Sequence, residues 1–342
     1  MEKTGGLEKR MKQNLEDIKK ARKILGYHYP KKKIGYIREF PEGFNNIAFD
    51  VHFVNSKEDK IVKILKIEGI ERYVLKQKLI RTLLRKKFKD YPIPKIIKSD
   101  YSKKIIESPY IIAEKVKGNS LQSLYKKIEN KEELFEEIGE LYGKMHSIKL
   151  SNYGELDSSL NIIKKYKSWY IEKCNYVKKI LDKIEKNKLL SSKRLKFNQD
   201  FFEKHKLLLK KEIGPCLCHG DSALTNIIVN KSDKRYNVSG IIDFEFSRSS
   251  GVTHDLFGGV RGFEKKYQYR KNLVEGYTKW SKLPKEWEKL TLLYYWIRNL
   301  NQLSRVKKMK WRNLTKKEDE QRRKNIIKSS IKNTNKIMKD FN

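Results

Sequence analysis

The sequence predicts an α+β protein, and three observations carry that expectation. Strand-like alternation and β-branched runs crowd the chain before about residue 115, while helical periodicity dominates from Ser120 onwards. At 342 residues the chain is long enough for two modest cores, so two lobes are expected. The expected division is residues 1–115 and 116–342, with 161–212 as a helical insertion and 307–342 as a basic C-terminal segment.

Leu7, Met11, Leu15, Ile18 and Leu25 recur at helical spacing, which predicts an amphipathic helix from about 6 to 25 that Gly26 ends. Ile34 to Phe40 reads as a strand, and the turn over 41–46 holds Gly43 where close backbone approach is needed. Ile47 to Val54 alternates as a second strand, and Lys60 to Leu65 returns as a third. Glu71 to Lys87 is a helix with Val74, Leu75, Leu79, Ile80, Leu83 and Leu84 as its buried stripe. Tyr91-Pro92-Ile93-Pro94 stops it, and Ile105-Ile106 with Pro109 to Glu114 reads as a hairpin.

Beyond Ser120 the expected helices are Leu121 to Ile128, Glu133 to Ile148, Phe263 to Ser281 and Trp287 to Val306. Within 161–212 the aromatics Tyr166, Trp169, Tyr170, Tyr176, Phe197, Phe201 and Phe202 stand among lysines at helical spacing, which reads as core rather than as a nucleic-acid contact. Residues 307–342 carry a partial stripe of Ile326, Ile327, Ile331 and Ile337, and are either a docked last helix or a basic tail.

The chemistry concentrates in one stretch. Cys218-His219-Gly220-Asp221-Ser222-Ala223-Leu224-Thr225-Asn226 is a polar loop between apolar runs, with a carboxylate and a carboxamide five residues apart. After a hairpin tip over Asn230 to Asn237, the run Val238 to Ile242 ends on Asp243. Carboxylate and amide oxygens suit a hard divalent cation, and phosphoryl transfer asks a protein mainly to position a nucleophile and hold Mg²⁺. Asp221 is the candidate catalytic residue, and Asn226 and Asp243 are the candidate metal ligands.

His-Gly-Asp-x-x-x-x-Asn over 219–226, followed by Ile241-Ile242-Asp243-Phe244, resembles the aminoglycoside phosphotransferase family, small-molecule relatives of protein kinases. Glu42-Gly43-Phe44-Asn45-Asn46-Ile47-Ala48 resembles the nucleotide loop of the 2″-aminoglycoside phosphotransferases in particular. The resemblance covers roughly residues 34 to 300. It implies a bilobal, protein-kinase-like fold, with a five-stranded antiparallel sheet and a helix in the N-terminal lobe and a mainly helical C-terminal lobe. The implied activity moves the γ-phosphate of ATP or GTP, with Mg²⁺, to a hydroxyl of a small molecule. An aminoglycoside is one implied acceptor, and antibiotic resistance one implied role.

The implied nucleotide contacts are Gly43, Asn45 and Lys63, with Lys66 on the opposite strand face as the competitor to Lys63. In the family the following helix supplies an acid that pairs with that lysine. The best-aligned stretch here, 75–79, has none, which leaves Glu71 nearly two turns earlier or a neutral hydrogen bond from Gln77. Glu114 to Gly118 resembles the hinge between lobes, His146 a structural histidine, His219 a brace for the catalytic loop, and Asp255 an anchor for that loop.

A formal charge of +37 can attract nucleic acid, anionic membranes or anionic substrates. Lysines spread through nearly every helix, beside many Ile and Asn, equally fit a general compositional bias. Two rivals to the small-molecule kinase follow: a kinase of an anionic or RNA-bound hydroxyl, and a nucleotide-binding pseudokinase or RNA-associated module. A polycationic acceptor needs an acidic cleft, for which Glu245, Glu264 and Glu275 are the candidates. Three cysteines, two of them in a Cys-x-Cys, read as free thiols of a reducing compartment rather than a metal site. No run approaches the roughly 20 apolar residues of a membrane span. The expectation is a cytoplasmic monomer with no membrane partner.

Overall fold

The computed structural model describes residues 2–40, 46–56, 58–65, 70–257, 263–309 and 315–341. Helix α1 (Glu2–His28) precedes strands β1 (Ile34–Glu39), β2 (Asn46–Phe53) and β3 (Lys60–Leu65), helix α2 (Ile70–Lys87), and strands β4 (Ile96–Asp100) and β5 (Tyr110–Glu114). The five strands form one antiparallel sheet in the order β1-β2-β3-β5-β4, so β3 is its centre.

Period-two alternation gives the sheet two faces. Phe49, Val51 and Phe53 of β2 and Val62 and Ile64 of β3 pack with Ala21, Ile24 and Leu25 of α1, leaving Lys63 on the other face. Two expectations for α1 need correction. It runs through Gly26, which has open space around it, to His28; and Leu15, expected inside, is 56% exposed. The inward face is set later in the helix, where the sheet meets it. The hairpin partner of β5 is β4 rather than Ile105-Ile106; Ile106 is instead buried under α1's side of the sheet. Helix α2 is turned relative to its predicted stripe: Val74, Ile80 and Leu84 are buried, Leu75 and Leu79 are exposed, and Lys76 is buried. An amphipathic pattern this rich in both leucine and lysine fits more than one rotation, and the loop it packs on selects one.

The second half continues with β6 (Asn119–Ser120), α3 (Leu121–Leu124), α4 (Lys131–His146), β7 (Gly154–Glu155), α5 (Trp169–Lys186) and α6 (Ser192–His205). Then come β8 (Cys216–Cys218), β9 (Ile227–Ser232), β10 (Arg235–Ile241), β11 (Arg248–Ser250), α7 (Val252–Leu256), α8 (Phe263–Gln268), α9 (Arg270–Thr278), α10 (Trp287–Arg305) and α11 (Lys316–Asp340). Two small sheets, β10-β9-β6 and β7-β11-β8, frame the polar loop of 218–226. The hairpin tip between β9 and β10 is tighter than expected. Asp233 and Lys234, both at positive φ, turn the chain alone.

One core joins the far end of α2 (Ile80, Leu84) to α4, β8, β9 and α9. A second joins Trp169, Val177 and Ile184 of α5 and Phe201 and Phe202 of α6 to α10 and to Ile337 and Met338 of α11. The aromatics of the insertion are thus largely core, but Phe197 is 58% exposed, and 161–168 is irregular rather than helical. Of the two readings of the C-terminal segment, the docked helix holds for 316–341: a Thr315–Glu318 capping box opens α11, and Phe341 is buried at its end. No described helix is long and apolar enough to cross a membrane.

Candidate active site

The loop after β8 is shaped by backbone demands before any chemistry. Gly220 sits at φ +80°, and a Cβ there would lie 2.0 Å from the Phe246 carbonyl oxygen, so no larger residue fits. Asp255, at the start of the second half of α7, accepts hydrogen bonds from the backbone N–H groups of His219 (2.6 Å) and Gly220 (2.8 Å). His146 Nε2 lies 3.1 Å from the same carboxylate. Burial works against the Asp255 charge, but these partners overcome it and hold its pKa down at about 2. His146, Cys218 and Asp255 bring ligand-type atoms within 4.8 Å of one another, yet both Asp255 oxygens already accept from the loop, which makes this a brace. Lys266, fully buried, donates to the carbonyls of Ser222 (2.5 Å) and Leu256 (3.1 Å) and ties the loop from beneath. Burial pushes its pKa down to about 7.

His219 is fully used. Its Nε2 lies 2.8 Å from the Ile242 carbonyl oxygen, while its Nδ1 accepts from the Asp221 N–H at 3.2 Å. The ring therefore links the loop after β8 to the loop after β10. A second link is the Ile242 N–H, which donates to the Asn226 carbonyl at 3.0 Å. Asn226 Nδ2 donates to Asp221 Oδ2 at 3.1 Å and to the Asp221 carbonyl at 2.9 Å. Its amide oxygen is left as the end available to a cation.

Asp243 follows β10 in the left-handed region, φ +65° and ψ +53°, a conformation Asp tolerates better than most residues. This turn presents its carboxylate to the central sheet strand, where Lys63 Nζ meets Oδ1 at 2.5 Å. Burial disfavours both charges, but mutual attraction prevails: the Lys63 pKa is raised and that of Asp243 lowered. Glu245 lies close by. Burial, with Asp243 next, pushes its carboxyl up to about 7.

The partner expected for Lys63 on α2 is not found there. Glu71 is exposed at the first turn, and among the described residues Lys63 pairs with Asp243, not with Glu71 or Gln77. The α2 face turned to the site presents Lys76 instead, which is buried and donates to the Ser247 carbonyl at 3.1 Å. Gly43, Asn45 and Lys66 lie outside the described residues. Glu114 accepts from the Lys95 N–H at 2.9 Å, as a strand-end charge does.

Of the acids expected to build a cationic-substrate cleft, Glu245 is at the site, and the Glu264 side chain is outside the described ones. Glu275 is exposed on α9, in the neighbourhood of Lys279, Glu136 and Glu140. The site contains a residue that motif reading missed. Arg298 of α10 reaches Asp221, Nη2 to Oδ1, at 3.4 Å. Its signal was a lone cation inside the apolar run Leu292-Leu293-Tyr294-Tyr295-Trp296-Ile297 to Leu300.

Known proteins of similar architecture bear on this arrangement. The family model described as "Phosphotransferase enzyme family" matches residues 37–293. No curated protein matches the chain. Wild-type aminoglycoside 2'-phosphotransferase-IIIa in its GDP complex superposes with TM-score 0.65 at 14% identity, over 92% of this chain and 96% of that one. A thermostable mutant of aminoglycoside phosphotransferase APH(4)-Ia, in a ternary complex with AMP-PNP and hygromycin B, gives 0.61 at 12% identity, over 93% and 97%. A fructosamine-3-kinase, putatively so named, from Haemophilus somnus gives 0.57 at 15%, over 92% and 95%. At such identities the likeness is one of fold, the bilobal kinase-like architecture. The family match spans most of the length, and with it the chain belongs to the phosphotransferase enzyme family.

Proposed function

We propose that the protein is a small-molecule kinase that transfers the γ-phosphoryl group of ATP or GTP to an alcohol. In this reading residues 1–115 form the nucleotide-binding lobe and 116–342 the catalytic and acceptor lobe. The observation that supports it most is the convergence of Lys63, Asp243, Asn226 and Asp221 from three separate segments, Lys63 on Asp243 at 2.5 Å and Asn226 on Asp221 at 3.1 Å.

The donor set suits Mg²⁺: a carboxylate from Asp243 and the uncommitted amide oxygen of Asn226 are hard oxygen ligands. Mg²⁺ bound there would supply neutralisation of the charge that develops on the phosphates. Lys63, paired with Asp243, would contact the phosphates. Asp221 accepts the proton of the acceptor hydroxyl as its oxygen bonds to the γ-phosphorus; the bond to the β,γ-bridging oxygen breaks, and the nucleoside diphosphate leaves. Asn226 keeps Asp221 oriented for that role, and Asp255 keeps the loop rigid.

The experiment is direct. Full-length protein with Mg²⁺ and [γ-³²P]ATP or GTP is offered a panel of sugars, sugar acids, amino alcohols and aminoglycosides. Labelled product that disappears with Mg²⁺ removed is the expected result; nucleotide that neither binds nor turns over with any acceptor would sink the reading.

A further inference from the structure

Among the described residues the charged side chain that contacts Asp221 is a cation, Arg298, although the acid Glu245 also lies near. Arg298 contacts Asp221 at 3.4 Å, well beyond the roughly 2.7–2.9 Å of a close charge-assisted bond. Among the described residues that is its one polar contact, so most of its five N–H donors are uncommitted, and its side chain is 31% exposed. Arg305, seven residues on, shares its face of α10.

Helix α5 packs against α10. Lys173 Nζ stands 4.1 Å from the Trp169 ring centroid and 5.1 Å from that of Tyr176. Arg248 of β11 lies 5.8 Å from the same Trp169 ring and is paired with Glu172, the carboxylate that α5 contributes here. Apart from Glu245, whose carboxyl is pushed up to about 7 by burial and then by Asp243, the other acids facing this region are also committed. Glu212 accepts from Ile213, Thr253 and Tyr294, and Asp255 braces the catalytic loop.

The positive charge of Arg298 and Arg248 is felt by the buried groups around them. Burial first, then Arg248, pushes Lys173 down to about 7, with Arg298 adding to it. His254 is held well below its ordinary range by burial and then by Lys173, Arg248 and Arg298. Lys173 is buried and His254 neutral, so the accessible charge is that of Arg298, which at the base repels a polyamine and attracts an anion.

We propose that the surface of α10 around Arg298, beside Asp221, is the acceptor subsite and that the physiological acceptor is a hydroxyl compound bearing an anionic group, a carboxylate or a phosphate. Arg298 is the specificity-determining residue: it grips the anion while Asp221 faces the hydroxyl. The inference rests on the phosphotransfer reading above and adds the charge class of the substrate. The product is then a phosphate ester of an anion, formed with the hydroxyl proton passing to Asp221 and the nucleoside diphosphate departing.

Calorimetry on the full chain loaded with Mg²⁺ and AMP-PNP or GMP-PNP tests it, using gluconate, glucose 6-phosphate, glucose, glucosamine and kanamycin at about 0.15 M salt. The expected result is binding of gluconate or glucose 6-phosphate at least about tenfold tighter than glucose, with glucosamine and kanamycin weakest. Which of the two anions binds better separates a carboxylate from a phosphate. Arg298→Gln should erase the preference, and Arg298→Lys, which keeps the charge, should restore part of it. Equal binding across the sugars, a preference for the cations, or an anion preference that survives in Arg298→Gln would overturn the proposal. If neither AMP-PNP nor its guanosine counterpart GMP-PNP binds, the phosphotransfer reading falls and this inference with it; if one binds and the cations win, only this inference falls.

Discussion

Lys63 of the central sheet strand and Asp243 of the loop after β10 meet at 2.5 Å, an ion pair between residues 180 apart in sequence. Burial opposes the Asp243 charge, but Lys63 lowers its pKa overall, so the folded protein holds this proton less tightly than the unfolded chain does. The stabilising contribution is therefore complete above the unfolded carboxylate value of about 3.9 and is lost as pH falls through the lower folded value. Asp243→Asn, which tolerates the left-handed backbone, should cost on the order of 1 kcal/mol at neutral pH, discounted for partial exposure. Urea unfolding of the two proteins from pH 7 down to pH 2 should show the gap closing in acid; a constant gap would contradict the assignment.

Asp221→Asn keeps an oxygen that can accept from Asn226 but cannot take a proton. Turnover should fall by about 10²- to 10⁴-fold while nucleotide affinity stays within a factor of about two. Wild-type turnover in this variant would remove Asp221 from the role of base.

Asn226→Ala removes both a proposed metal ligand and the hydrogen bond that orients Asp221 at 3.1 Å. The Mg²⁺ concentration for half-maximal activity should rise by roughly tenfold or more. An unaltered Mg²⁺ titration would show that the metal is held elsewhere.

Gly220→Ala places a methyl 2.0 Å from the Phe246 carbonyl at φ +80°. Both the clash and the backbone conformation act against it, so a loss of more than about 1 kcal/mol is expected in denaturant unfolding. Retention of wild-type stability would mean the loop is far more yielding than its hydrogen bonds to Asp255 imply.

Glu245 offers a test with the opposite sign. Burial and the neighbouring Asp243 raise its carboxyl to about 7, so the folded state binds this proton more tightly than the unfolded chain. Stability contributed by this group thus falls as pH rises from about 4.5 to about 7, and the deficit is complete above that. Glu245→Gln should therefore be more stable than the wild type at pH 8 and nearly equal to it at pH 5. A stability difference independent of pH would count against it.

The short-range features were readable because they are local. The central strands, the helices α2, α4 and α10 and the loop carrying Asp221 and Asn226 each declare themselves within a few residues by spacing and turn chemistry. What failed were choices that depend on a distant surface. Leu75 and Leu79 looked as buried as Ile80 until the packing of α2 against the 244–247 turn fixed its rotation and drew Lys76 inward. Strand β4 carries weak alternation, and β5 rather than its own sequence makes it a strand.

The order of polar and apolar residues along the chain was enough to indicate the fold class and the loop where Asp221 lies, and the motifs over 219–226 and 241–244 carried the resemblance to the phosphotransferase family. Only the folded chain decided that Lys63 pairs with Asp243 instead of a helix acid, and that Arg298 stands beside Asp221. Both are contacts between segments 180 and 77 residues apart. Such proximity is created by the burial of shared apolar cores, to which the charged residues themselves contribute almost nothing, so no local pattern announces it.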